Sequence, residues 1–272
     1  MIKYGIKLWT INKYCFPKAV KLYQDGLIDF VELYVVPDET FKNDLDILRN
    51  MPVHIHAPHS LHNFNIFELD KEKIDLFQGQ VIELADFFNS KYIILHAGIG
   101  NDPKIFRKNI AKIYDKRITI ENNPKMGLND KICFGYSYNQ LKFIKEKCKL
   151  NICLDINHAI KSAVSEKKDY KKYIKDLFKL NPKICHISDG TLKIEKDEHL
   201  GIGDGDYDFN FLGKCLKESN IEYVTMETPN TDLNSLKEYL ENLKKLKSIS
   251  FLQPSPYHFT RHKENLSGKK SG

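Results

Sequence analysis

Residues 92–121 read YIILHAGIGNDPKIFRKNIAKIYDKRITIE. The stretch opens on an apolar run, Tyr92 to His96, and closes on another, Ile118 to Glu121. Between them, Lys104 to Tyr114 spaces Phe106, Ile110 and Ile113 three and four residues apart among lysines, the pattern of a helix with one buried stripe. Strand, amphipathic helix and strand within about thirty residues make one βα unit of a parallel sheet, whose strands are buried on both faces and so read as continuous apolar runs. Both runs nevertheless end on a polar side chain, His96 and Glu121.

The same alternation extends in both directions. Strands are expected at Tyr4 to Trp9, Phe30 to Val35, Val53 to Ala57, Tyr92 to His96, Ile118 to Glu121, Ile152 to Asp155, Ile184 to Ile187 and Tyr223 to Glu227. Helices are expected at Lys18 to Gln24, Phe41 to Asn50, Lys71 to Asn89, Lys104 to Tyr114, Tyr138 to Cys148, Tyr170 to Leu180, Phe211 to Glu218 and Leu233 to Leu246. Ser137 and Asp232 are placed as N-caps of the fifth and eighth of these. Eight βα units in succession predict an α/β fold, a (βα)8 TIM barrel forming one domain over residues 1–247. Residues 248–272 contain Gln-Pro-Ser-Pro-Tyr-His, end in Ser-Gly-Lys-Lys-Ser-Gly and carry little to bury, so they read as a flexible or loosely docked C-terminal tail.

Composition agrees. The chain has 272 residues, 42% of them hydrophobic, enough for one large core. Its six cysteines include no Cys-x-x-Cys pair, and Cys153 and Cys185 lie inside strand-like runs as small hydrophobes would, which points to a reduced setting. Met1 leads directly into Ile-Lys-Tyr-Gly-Ile-Lys-Leu-Trp without a signal or transit pattern, and no apolar run approaches the roughly 18 residues of a membrane span, so a cytoplasmic protein without a membrane partner is expected. A formal net charge of +6 is compatible with a phosphate-bearing partner, although the lysines are dispersed.

Nine potential metal ligands stand at strand ends or in the loops that follow: His56, His96, Glu121, Asp155, His158, His186, Asp197, His199 and Glu227. In a parallel barrel all strand carboxyl ends meet at one mouth, so residues 170 positions apart can share a site. Taken singly, a histidine in an apolar strand is more often a hydrogen-bonded core residue than a ligand. A buried carboxylate is harder to accommodate without a cation. The joint pattern decides, because three carboxylates and three histidines end the six successive strands from the third to the eighth. Oxygen and nitrogen donors without thiolate suit zinc first, with manganese or iron as alternatives.

The motifs His56-Ala-Pro-His59 followed by Asn63 and Asn65, Ile-Leu-His96-Ala-Gly, Ile-Glu121-Asn, Leu-Asp155-Ile-Asn-His158-Ala, His186-Ile-Ser-Asp, Asp197-Glu-His199-Leu-Gly-Ile-Gly-Asp-Gly and Met-Glu227-Thr-Pro occur in this order over residues 52–229. The series resembles the endonuclease IV family of apurinic/apyrimidinic endonucleases, within the superfamily of xylose-isomerase-like barrels. The resemblance implies incision of DNA 5′ to abasic or damaged sites by a centre of about three zinc ions. It implies one ion on His56, His96 and Glu121, a second on Glu121, Asp155, His186 and Glu227, and a third on His158, Asp197 and His199, with Glu121 bridging and Glu227 also orienting the nucleophile. Gly201, Gly203 and Gly205 would permit a tight loop beside a phosphate.

Other features of this chain depart from that family. Its first strand reads Gly-Ile-Lys-Leu-Trp-Thr where the nucleases usually carry Gly-Ala-His-Val-Ser, and His59 stands where they often have tyrosine. Glu32 in Phe-Val-Glu-Leu-Tyr resembles the sugar-processing branch, either as a substrate contact or as a salt-bridged rim carboxylate. These features support an alternative, a divalent-metal-dependent sugar or sugar-phosphate isomerase or epimerase in which Glu121 and Glu227 shuttle a proton at a sugar carbon. A non-catalytic metal-binding scaffold is the third expectation.

Overall fold

The computed structural model describes residues 1–37, 42–127, 130–232 and 235–249. All eight expected strands are present: β1 Lys3–Trp9, β2 Phe30–Tyr34, β3 Val53–His56, β4 Ile93–His96, β5 Ile118–Glu121, β6 Asn151–Asp155, β7 Ile184–Ile187 and β8 Tyr223–Met226. They pair in parallel in sequence order, and β1 also pairs with β8, closing the sheet. The protein is a TIM barrel of one domain.

The helices are α1 Phe16–Gln24, α2 Lys42–Leu45, α3 Lys71–Leu76, α4 Glu83–Phe87, α5 Pro103–Ile110, α6 Tyr138–Lys147, α7 Ile156–Ser165, α8 Tyr170–Phe178, α9 Phe209–Glu218 and α10 Lys237–Ser248. The expected helix over Lys71 to Asn89 is broken into α3 and α4 by a π-helical stretch, Phe77–Ile82. Ser137 caps α6 as expected, in a capping box with Gln140. Asp232 is not the N-cap of α10, which starts at Lys237 with Leu236 in that place, and Thr231 bonds the Glu238 side chain from the preceding loop. Of the expected tail, Ser248 ends α10 and Ile249 packs on the core, while residues 250–272 lie outside the described residues, as do Phe41, Leu233 and Asn234 of expected helices.

Helix α7 follows β6 with no intervening residue and was not among the expected helices. Residues Ile156 to Ala163 are all buried, although the segment is amphipathic: Ile156, Ala159, Ile160 and Ala163 share one face, and Asn157, His158, Lys161 and Ser162 share a polar face that bonds to the mouth and the following loop rather than to solvent. His158, expected in a loop, therefore lies in the first turn of α7, where Asp155 as N-cap accepts from the His158 N–H at 2.6 Å.

Strand side chains alternate between two destinations. One set, with Ile6, Leu8, Val31, Leu33, Ile55, Ile93, Leu95, Ile118, Ile120, Leu154, Cys185, Ile187, Val224 and Met226, joins the large core shared with the helices. The other set fills the barrel: Phe30, Tyr92, Ile94, Cys153, Ile184 and Tyr223 form a separate apolar cluster. His54 lies against Phe30, Tyr92 and Tyr223 with ring centroids 4.6 to 5.2 Å apart, and burial pushes its imidazole down to about 4. This aromatic floor closes the amino-terminal end. Two or four residues further along the same faces come Glu32, His56, His96, Asp155, His186 and Glu227, so the period of two that builds the floor also delivers the polar layer above it.

Gly5 is the small residue that lets the floor close, since a Cβ there would lie 2.6 Å from the Phe30 ring. Gly5→Ala is expected to lower stability by about 1–3 kcal/mol through overpacking. Urea unfolding checks this, and an unchanged midpoint would show that the Phe30 ring moves aside freely.

Candidate metal centre

All nine expected donors meet at the carboxyl-terminal mouth and fall into three groups whose ligand atoms lie within 4.8 Å of one another: His56, His96 and Glu121; Glu121, Asp155, His186 and Glu227; and His158, Asp197 and His199; a fourth group of the same compactness, Glu32, His56 and Glu227, overlaps the first two. The strand register explains the first two, because His96 stands beside Glu121 across β4 and β5, and Asp155 beside His186 across β6 and β7. Glu227 lies one residue past β8, and its N–H continues the ladder to the Ile187 carbonyl at 3.0 Å. The third group is assembled from α7 and the loop between β7 and α9.

Three of the histidines spend one ring nitrogen on a backbone carbonyl outside the centre. His56 Nδ1 donates to the Ala57 carbonyl at 2.8 Å, His158 Nδ1 to the Asn122 carbonyl at 2.8 Å, and His199 Nδ1 to the Glu227 carbonyl at 2.9 Å. In each case Nε2 then faces a carboxylate oxygen: Glu121 at 3.1 Å for His56, and Asp197 at 3.3 and 3.2 Å for His158 and His199. His186 is reversed, with Nε2 donating to Glu32 at 2.9 Å and Nδ1 facing Glu227 at 2.8 Å. A neutral imidazole that spends its N–H outside presents a bare lone pair to a carboxylate, which is repulsive unless a cation lies between them; this is the arrangement of metal-bound histidine.

The charge balance points the same way. Glu32, Glu121, Asp155, Asp197 and Glu227 converge here, and Lys7 supplies an ammonium at 2.6 Å from Glu227 and 3.8 Å from Glu32. Burial opposes charge on His199, but its hydrogen bond to Asp197 and that carboxylate's field raise it to about 9. Burial likewise opposes charge on His158 and His186, and the surrounding anions outweigh it and hold both well above the usual histidine range. Burial, with neighbouring carboxylates, pushes Asp155 up to about 6. The centre thus demands positive charge. Glu121 Oε1, Asp155 Oδ2 and His186 Nδ1, all in one donor group, are buried without a hydrogen-bond partner, so the residues present fit divalent cations.

Exposure rises across the mouth. His56, Glu121, Asp155 and His186 are fully buried, whereas His96, His199 and Asp197 side chains are 19%, 28% and 35% exposed, so a substrate would approach over those three.

The surrounding residues correct several expectations. Glu32 is no rim carboxylate: it is completely buried, accepting from His186 and from the Thr225 hydroxyl at 2.8 Å. His59 belongs to none of the three donor groups and stacks on His96 at 4.6 Å. The N–H groups of Gly203 and Gly205 do not face the mouth as a phosphate cradle, because the buried Asp189 carboxylate takes them at 2.8 and 3.0 Å. Sequence reasoning passed over Lys7, although it stands two residues after Gly5 on the same inward face of β1 and is the one charge between Tyr4 and Trp9. It also passed over Asn157, which donates to Asp197 at 2.6 Å and accepts from the Tyr207 hydroxyl at 2.6 Å; inside the unrecognised helix it gave no signal.

The chain belongs to the xylose isomerase-like TIM barrel family, which it matches over residues 18–249. It is 28% identical to an uncharacterized protein of Methanocaldococcus jannaschii over 71% of this chain and 76% of that one. It is 25% identical to a probable endonuclease 4 of Campylobacter hominis over 69% and 74% of the two chains. Among solved structures, endonuclease IV from Thermus thermophilus superposes with a TM-score of 0.68 at 19% identity, covering 92% of this chain and 98% of that one. A D-tagatose 3-epimerase-like protein superposes with a TM-score of 0.69 at 18% identity over 92% and 97%. The structural likenesses establish the fold, and they span both the nuclease and the sugar-processing members. Among the described residues no helix is long and apolar enough to cross a membrane.

Proposed function

We propose that this protein is a metal-dependent phosphodiester hydrolase of the endonuclease IV type, holding about three divalent cations, zinc foremost, and incising DNA 5′ to abasic or damaged sites. The observation that carries this is the third donor group. A one-cation isomerase needs only Glu121, Asp155, His186 and Glu227, and would leave His158, Asp197 and His199 without a purpose. The similarity to the probable endonuclease 4 of Campylobacter hominis supports the same reading.

Bound divalent ions supply Lewis-acid polarisation of phosphoryl oxygens and acidify water. The chain's own residues do the rest. Glu121, common to two groups, sets their separation. Glu227 is held as a carboxylate: burial opposes its charge, but Lys7 and His186 keep it well below the usual range, ready to hold a cation and orient an attacking water. Lys7 places a fixed positive charge at the base of the mouth, suited to an anionic diester. His96, Asp197 and His199 at the open side are where the phosphate is received.

The sugar isomerase or epimerase reading is favoured by one observation, the buried Glu32 that orders His186 from behind the four-residue group. In that chemistry Glu121 and Glu227 would flank a substrate carbon and exchange its proton.

Cation count is the first test. The purified chain is expected to hold close to three ions by elemental analysis after gentle dialysis, and His158→Ala close to two. A count near one that His158→Ala leaves unchanged removes the three-cation centre.

The second test is the reaction itself. A duplex with one abasic-site analogue should be cut on its 5′ side, less efficiently as salt is raised because phosphate contacts release counterions, and prolonged chelation should abolish cutting. Glu227→Gln should cut about 100-fold or more slowly with an unchanged circular dichroism spectrum. Absence of incision with zinc or manganese present, together with solvent deuterium entering a ketose or sugar phosphate, would assign the isomerase chemistry instead.

A further inference from the structure

The loop from Ser188 to Asp208 carries two of the nine donors, Asp197 and His199, on a long segment without helix or extended strand. Its two ends are tied together. Asp189 and Leu200 exchange backbone hydrogen bonds at 3.0 and 2.9 Å, and the Asp189 carboxylate gathers the N–H groups of Gly190, Gly203, Gly205 and Tyr207. That knot holds the base of the loop and leaves the excursion from Thr191 to Glu198 to be fixed by something else.

Lys161 is what reaches it. The side chain sits on α7 one turn beyond His158 and is fully buried. Its ammonium donates to the Thr191 carbonyl at 2.9 Å, the Ile194 carbonyl at 3.1 Å and Glu198 Oε1 at 2.5 Å, so each of its three N–H groups has an acceptor on this one loop. The same Glu198 oxygen accepts from the N–H and the hydroxyl of Thr191, both at 2.6 Å. Glu198 is the residue between Asp197 and His199.

We propose that the Lys161–Glu198 pair is a positioning latch for the His158, Asp197 and His199 group. It holds the loop so that Asp197 and His199 are presented to His158 before a cation arrives. The inference rests on the cation-binding reading of that group. Neither residue belongs to a donor group, so their action is through the loop. A buried ion pair is a poor source of net stability, because an apolar pair of similar volume is often no less stable, whereas a directed ammonium with three fixed acceptors specifies one loop shape. Helix α7 thereby carries both sides of the arrangement, a ligand at His158 and the latch at Lys161, on one rigid element. Supports of this kind around metal ligands typically change affinity about 10- to 100-fold when lost.

The full-length chain loaded with zinc tests this, with bound metal counted by elemental analysis and affinity followed by competition with a chromophoric chelator. Lys161→Met, which keeps length and removes charge, is expected to retain two ions and bind the third at least about tenfold more weakly, with an unchanged circular dichroism spectrum. Glu198→Ala, at a partly exposed position that tolerates truncation, should show the same selective loss and decides the matter if Lys161→Met does not fold. Three ions held with wild-type affinity in the folded variants overturns the latch, as does equal weakening of all three. A wild-type count near one, unchanged by His158→Ala, would instead remove the three-cation reading on which the latch rests.

Discussion

Glu121 is a fully buried carboxylate with four imidazole nitrogens around its two oxygens, those of His56, His96, His158 and His186, at 3.1, 3.3, 3.3 and 3.4 Å. An anion in a dry barrel must be compensated, and protons on histidines or bound cations are the two ways available. The remaining architecture serves this demand. The aromatic floor excludes water from below, strand alternation supplies donors from six different strands, and carbonyl acceptors behind three of the rings turn the other nitrogens inward.

The three donor groups differ in how the chain supports them. The two that share Glu121 are built on strand ends, whose relative positions follow from barrel register and cannot shift without slipping a strand. The third depends on a helix and a loop, and there the support is side-chain chemistry: Asn157 on Asp197, the Asp189 knot at the loop base, and Lys161 with Glu198 on the excursion. Rigidity thus comes from backbone pairing where the site is deep, and from buried polar contacts where it is open.

Much of this was legible in the sequence. The barrel order, all eight strands within a residue or two, and six of the candidate donors followed from apolar runs that end on a polar side chain, while His158, Asp197 and His199 were read from the motifs that follow those strands. Helix α7 was missed because it begins directly where β6 ends, at a place read as a loop, and because α8 already supplied the helix expected before β7; with it went the location of His158 and any role for Asn157 or Lys161. The glycines after His199 were legible as a tight loop, but what they wrap, the Asp189 carboxylate, was not.

By itself the sequence determined the fold class and which residues would face the mouth, because side-chain periodicity and strand burial are local properties that each run carries in its own composition. Only the tertiary structure decided how those residues divide into groups, that Glu32 lies behind His186 rather than at the rim, and that Lys7 reaches across to Glu227. The physical reason is that distances between residues up to 220 positions apart are set by barrel closure and shear, which no local pattern encodes.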